Sequence, residues 1–173
     1  MIKEIQYVLR YWKLPEEEIR QRTEEAIEVT GIRPYLETHP FDIPLPIRKF
    51  LTIAVVLAVS PDYVILDEPT AGQDLWGCAH LRIVIDYLKK KGKAVITISH
   101  DMEYVAEHFE RVIVMAHKNV IADGRKEDIF YQPNILKEAH VTPPLCARIG
   151  QKMGIKKKIL NIQELVENIK RKK

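Results

Sequence analysis

Asp62-Tyr63-Val64-Ile65-Leu66, running straight into Asp67-Glu68-Pro69-Thr70-Ala71-Gly72-Gln73-Asp74, is the stretch on which the fold turns. Its first five residues read as a short strand with apolar side chains on both faces, the pattern of a parallel sheet covered by helices. Pro69 ends the strand, because proline has no N–H to give a ladder. Downstream, residues 75–91 place Leu81, Val84, Ile85 and Leu88 at helical spacing, with Lys89, Lys90 and Lys91 at the negative end of the helix dipole and Gly92 as the stop. Residues 94–98 read as a second buried strand, 102–108 as a short helix and 111–115 as a third strand. This alternation predicts an α/β fold, a parallel sheet with flanking helices.

His117-Lys118-Asn119 then turns the chain into an antiparallel strand at 120–122, closed by Asp123-Gly124. Helical patterns follow at 127–131, 144–153 and 162–169. Upstream, Pro15-Glu16-Glu17-Glu18 reads as a helix start, with proline in the first turn and three carboxylates opposing the positive end of the dipole, and Gly31 is the stop. A proline-rich segment, 34–46, leads into a helix at 47–59 that is apolar on nearly every side and is therefore expected to be buried. Three regions result: a helical subdomain at 1–60, a core at 61–131, and a helical carboxyl-terminal extension at 132–173.

Composition narrows the function classes. The 173 residues are 46% hydrophobic, enough for a real core, and the longest uninterrupted apolar run, 53–59, is far short of the roughly 20 residues that span a bilayer. No secretory signal is evident at Met1-Ile2-Lys3-Glu4, so a cytoplasmic chain is expected. Cys78 and Cys146 form neither a CxxC pair nor a disulfide framework and read as small apolar residues. The net charge of +3 is uneven: residues 151–173 carry eight cations against Glu164 and Glu167, a net +6. Such a tail reads as a solvated end, and no nucleic-acid partner is expected.

In an open parallel sheet the site lies beyond the carboxyl ends of the strands, where Asp67, Glu68 and Ser99-His100-Asp101 all fall. An apolar strand ending in Asp-Glu suits phosphoryl chemistry: one carboxylate can hold Mg²⁺ while its neighbour accepts a proton from an attacking water.

The nine residues from Leu66 to Asp74 resemble the Walker B motif and D-loop of ATP-binding cassette (ABC) ATPases, and Ser99-His100-Asp101, about 30 residues later, resembles that family's switch histidine. The segment from Pro15 to Gly31 looks like the family's helical subdomain, and Val120-Ile121-Ala122-Asp123-Gly124 through Phe130 like the hairpin and helix after the switch. Ile135-Leu136-Lys137-Glu138-Ala139 with Pro143-Pro144 is similar to the carboxyl-terminal segment of the ATPases of energy-coupling factor (ECF) importers of metal ions and vitamins. The resemblance implies a partial P-loop NTPase fold, with ATP and Mg²⁺ as cofactors. It implies that Asp67 holds Mg²⁺ through water, that Glu68 is the general base and that His100 contacts the γ-phosphate. Asp74 would act across a dimer interface. The implied partners are a second ABC ATPase subunit and integral membrane transport subunits, at the inner face of the cell membrane.

The sequence departs from the family in two places. A P-loop needs GxxxxGK[ST], so that backbone N–H groups wrap the phosphates and lysine reaches them; no such string occurs here. Gly72 and Gly77 have the glycine spacing, but Cys78-Ala79 stands where lysine and a hydroxyl residue are required. The family's LSGGQ signature aligns with Ile43-Pro44-Leu45-Pro46-Ile47, where two prolines remove two donors. Pro46 still suits a helix start, so the positive helix end and Arg48 remain a weak phosphate-binding candidate.

The family's P-loop strand lies between the strands here at 94–98 and 111–115. Without it these two either close on one another or leave main-chain groups for another chain. The expectation is therefore the carboxyl-terminal portion of an ECF-type ATPase subunit, lacking its Walker A portion and inactive alone. The alternative is a non-catalytic remnant or pairing module that docks on a related ATPase.

Overall fold

Local chemistry explains where each element of the computed structural model, which describes residues 1–171, begins and ends. Lys172 and Lys173, part of the basic tail, lie outside the described residues. The chain divides into two units, one from Met1 to Ile98 and one from Ser99 onward. That boundary falls directly after a strand, inside the region 61–131 read above as one core.

The first unit opens with α1 (Ile2–Tyr11) and α2 (Glu16–Thr30), continues through a 3₁₀ turn at Arg33–Tyr35 to α3 (Leu45–Val59), and ends with β1 (Tyr63–Asp67), α4 (Leu75–Lys90) and β2 (Ala94–Ile98). Helix α1 has no proline or capping side chain to announce it, and the sequence reading passed over it. It forms because Ile5 and Leu9 share one face and are fully buried, each stabilising the fold by roughly 1.5–3 kcal/mol. Helix α2 starts at Pro15 and stops at Gly31, whose φ of +65° is the left-handed conformation glycine adopts without steric cost. Its buried Thr23 and Thr30 hydroxyls donate to Ile19 O and Ala26 O, both at 2.6 Å, so neither hydroxyl is left dry.

Helices α1, α2 and α3 pack against one another, and α4 packs on α2 and on β2. At the junction of α2, α3 and α4, Phe50 is fully buried with its ring 5.2 Å from His80 and 5.7 Å from Trp76, and His80 stacks on Trp76 at 4.7 Å. Gly31 lies against the same His80 ring: a Cβ there would sit 2.9 Å from it.

Strands β1 and β2 pair in parallel, Tyr63 with Ala94 through Asp67 with Ile98. Here the structure corrects two expectations. The sheet is covered on one face only: Val64 is buried, but Tyr63 is 75% exposed, Ile65 65%, and Ile96 and Ile98 53% each. Nor is the helix expected at 47–59 wholly buried, since Val56 is exposed.

The second unit holds α5 (Met102–His108), β3 (Arg111–Ala116), β4 (Asn119–Arg125), α6 (Lys126–Ile129), α7 (Pro133–Glu138), α8 (Leu145–Lys152) and α9 (Ile162–Arg171). Strands β3 and β4 form an antiparallel hairpin with a bulge between Val114 and Met115, turned by His117 and Lys118 at φ of +50° and +64°. This is the third correction: β3 is not part of the parallel sheet. Each sheet has two strands, and the pairing of β2 with β3 considered above is not made among the described residues. The unit's core gathers Ala106, Val114, Ile129, Phe130, Leu136, Ala147 and Leu160, and Cys146 joins a smaller cluster with Ile155, Ile159 and Leu165. Cys78, by contrast, is half-buried.

Candidate functional site

Strand β1 delivers the two carboxylates. Asp67 is its last residue, exposed at the carboxyl end, and Glu68 extends the ladder by one bond, its N–H donating to Ile98 O at 2.9 Å. There the backbone changes hand. Glu68 has φ of +44°, a left-handed conformation that costs a non-glycine residue on the order of 1–2 kcal/mol and that clusters at functional sites. The reversal sends Pro69 to Gly72 into a turn closed by Ala71 N–H to Glu68 O at 3.2 Å and Gln73 N–H to Thr70 O at 3.0 Å. The half-buried Glu68 side chain and the exposed Asp67 side chain thus belong to adjacent residues with opposite backbone handedness.

Three side chains hold the turn. Asp74 caps α4, its Oδ1 accepting from Gly77 N–H at 2.7 Å. Gln73 Nε2 donates to Pro46 O at 3.3 Å, and Lys49 Nζ donates to Ala71 O, so the first turns of α3 grip the loop after β1. Gly77 makes room for this: a Cβ there would overlap the Gln73 amide at 2.0 Å. The glycine pair at 72 and 77 therefore shapes a turn and a helix start, as the missing lysine implied. Sequence reasoning did not find Lys49 or Gln73, and nothing local to either position marks it, because both act across segments more than 20 residues apart.

Arg48, the weak phosphate-binding candidate, folds back on the segment before α3. Its Nη2 donates to Phe41 O at 3.0 Å and Ile43 O at 3.3 Å, and its guanidinium lies 5.2 Å from the Phe41 ring. These bonds close the turn that leads through Pro44 into the helix. His100 is exposed in the second unit, two residues after the end of β2. Its neighbours shape the start of α5: Ser99 Oγ accepts from Asp101 N–H at 3.0 Å, and Asp101 Oδ1 accepts from Tyr104 N–H at 3.0 Å.

Mg²⁺ is usually held by one or two carboxylates together with waters and substrate phosphates, not by an all-protein cage. The exposed oxygens of Asp67 at a strand end fit that habit, and among the described residues no group of three His, Cys, Asp or Glu side chains gathers as a cage. The nucleotide itself is another matter. The residues given contain no GxxxxGK[ST] string, the loop whose backbone N–H groups wrap phosphates.

No family model matches the chain. It is 41% identical over 150 residues to a putative ABC transporter ATP-binding protein of Methanosarcina mazei, a match covering 87% of this chain and 25% of that protein. It is 31% identical over 140 residues to the energy-coupling factor transporter ATP-binding protein EcfA2 of Mycoplasmopsis synoviae, covering 80% of this chain and 45% of that one. Among solved structures it matches cbiO1 of Clostridium perfringens, part of the ABC transporter complex cbiONQ, with a TM-score of 0.68 and 30% identity, covering 87% of this chain and 59% of that one. The chain thus spans from a quarter to three fifths of the length of these relatives.

Proposed function

We propose, on the premise that the homologues of this chain are ABC transporter ATP-binding proteins and that it shares their fold, that it forms the water-activating side of an ECF-type transport ATPase. In this reading Glu68 accepts the proton of the water that attacks the γ-phosphorus, and His100 meets the γ-phosphate. Asp67 holds Mg²⁺, which supplies charge neutralisation at the phosphates, and Asp74 serves the interface between paired ATPase subunits. The phosphate-gripping residues come from a portion outside the sequence given. Membrane transport subunits are the further partners, which places the protein at the inner face of the membrane; among the described residues no helix is long and apolar enough to cross one.

The observation that carries the reading is the end of β1. A parallel strand stops at Asp67, and Glu68 turns left-handed at the carboxyl edge, where α/β folds place their chemistry. The test mixes the chain with a P-loop-bearing fragment of a homologous ATPase. ATP hydrolysis should appear on mixing and fall at least about 100-fold with Glu68→Gln. Failure of every such fragment to restore hydrolysis refutes the reading.

A second reading, a pairing module that docks on a related ATPase without hydrolysing ATP, draws on the α3 amino terminus. Pro44 and Pro46 withhold donors there, and Arg48 is occupied by carbonyls. On that reading the partner's activity changes when the chain binds, and Glu68→Gln has no effect.

A further inference from the structure

The loop from Glu68 to Asp74 is tied to α3 at two points, and stability alone does not account for the ties. Gln73 Nε2 donates to Pro46 O, yet Gln73 Oε1 is buried and finds no hydrogen-bond partner among the described residues. An unpaired buried oxygen destabilises a fold, and a leucine would fill the same space without it. Gly77 yields room to this amide, which a Cβ would overlap. Lys49 spends its ammonium on Ala71 O, and Glu68 holds a left-handed backbone. Such local costs gather where a segment has to be held for function. The two ties grip Ala71 and Gln73, on either side of Gly72, whose φ of +71° is the freest backbone position in the loop.

The amino end of α3 meanwhile turns its groups toward this chain. Pro44 and Pro46 have no N–H, Arg48 is bonded to Phe41 O and Ile43 O, and Pro46 O and Lys49 Nζ serve the loop. One turn on, Phe50 and Ala54 are fully buried, and α3 packs on α1 and α2. The loop is therefore fixed to a firmly packed helix.

We propose that the amino end of α3 is a clamp on this chain's own hydrolytic loop. Lys49 and Gln73 are its positioning residues: they set where Glu68 and Asp74 stand, and they carry any shift of α3 to both. The inference rests on the reading above of Glu68 as the proton acceptor. It adds that hydrolysis depends on two side chains that touch neither water nor phosphate.

Hydrogen exchange on the full chain, followed by NMR, tests the clamp without any catalysis. The Ala71 and Gln73 amides close the turn onto Glu68 O and Thr70 O. Lys49→Met and Gln73→Leu should each speed their exchange by about tenfold, while the Glu68 amide, bonded to Ile98 O, stays within about twofold. Lys49→Arg, which keeps a donor, should restore the slow exchange, and Gln73→Leu should melt no lower than wild type because it removes the unpaired oxygen. In the mixture with a P-loop-bearing fragment of a homologous ATPase, Lys49→Met should lower kcat by about tenfold with KM for ATP within about twofold, and Lys49→Arg should recover it. Turn amides that do not respond to either substitution overturn the clamp. So does a fall in the melting temperature of Gln73→Leu that tracks its loss of kcat, the mark of a merely structural residue. Full kcat in both Lys49→Met and Gln73→Leu overturns the positioning role and leaves the reading of Glu68 standing. No hydrolysis by the wild-type mixture, with turn amides that do respond, refutes that reading and supports the clamp.

Discussion

Helix α3 and strand β1 lie four residues apart in the chain and are similarly apolar, yet the structure finishes them to different degrees. Helix α3 buries Phe50 and Ala54 completely, whereas β1 leaves Tyr63 and Ile65 mostly in solvent. The difference is one of main-chain accounting. A helix satisfies its backbone internally and needs only one stripe covered, which neighbours in sequence can do. A central strand needs a partner on each edge and a layer on each face, and those come from distant parts of a chain. In this molecule the helices bury a stripe each, and the sheet is half clad.

The contrast can be broken or sharpened by substitution. Phe50→Ala, at the junction of α2, α3 and α4, should cost about 3–5 kcal/mol in denaturant unfolding; a loss near zero would show that the helical region is as unfinished as the sheet. Gly31→Ala combines a left-handed backbone with a methyl 2.9 Å from the His80 ring, and should cost about 1–2 kcal/mol by thermal unfolding. Asp74→Ala removes the cap of α4 and should cost about 1 kcal/mol, with Asp74→Asn close to wild type. If Asp74→Asn instead matched Asp74→Ala, the carboxylate charge would matter more than the cap bond to Gly77.

On the open sheet face the expected effects shrink. Ile65→Thr and Ile96→Thr should change stability by no more than about 0.5 kcal/mol, while lowering self-association in sedimentation, because they make an exposed apolar face polar. A cost of several kcal/mol would mean that this face is already covered. The smallest effect belongs to the surface clip between α2 and α4. The hydrogen bond from Lys91, more than any other influence, holds the Glu25 carboxyl below its ordinary value of 4.5. A depressed carboxylate contributes stability that is present above its unfolded-state pKa and is lost as pH falls through the folded one. Acidification below about pH 4.5 should therefore remove a few tenths of a kcal/mol more from wild type than from Glu25→Gln, in keeping with a mostly exposed pair.

Much of this was legible in the residues. The helix at 102–108 and the strand at 94–98 stand where the pattern put them, and Pro15, Gly31 and Asp67-Glu68-Pro69 mark the boundaries they announce. Helices α1 and α7 were not legible, because the first lacks a capping signal and the second is a six-residue turn opened by a proline. The grip of Lys49 and Gln73 on the loop after β1 was hidden for a different reason. It depends on the first turns of α3 lying over that loop, and no local spacing encodes such an approach.

The sequence by itself determined the type of most long elements and the strand-end address of Asp67, Glu68 and His100, because periodicity, proline and glycine act within a few residues. Only the tertiary structure decided that the apolar strand would be covered on one face, that β3 would pair with β4 alone, and that Arg48 would turn inward to carbonyls. Apolarity records a strand's demand for partners; which partners meet that demand is a matter of contacts between segments far apart in the chain.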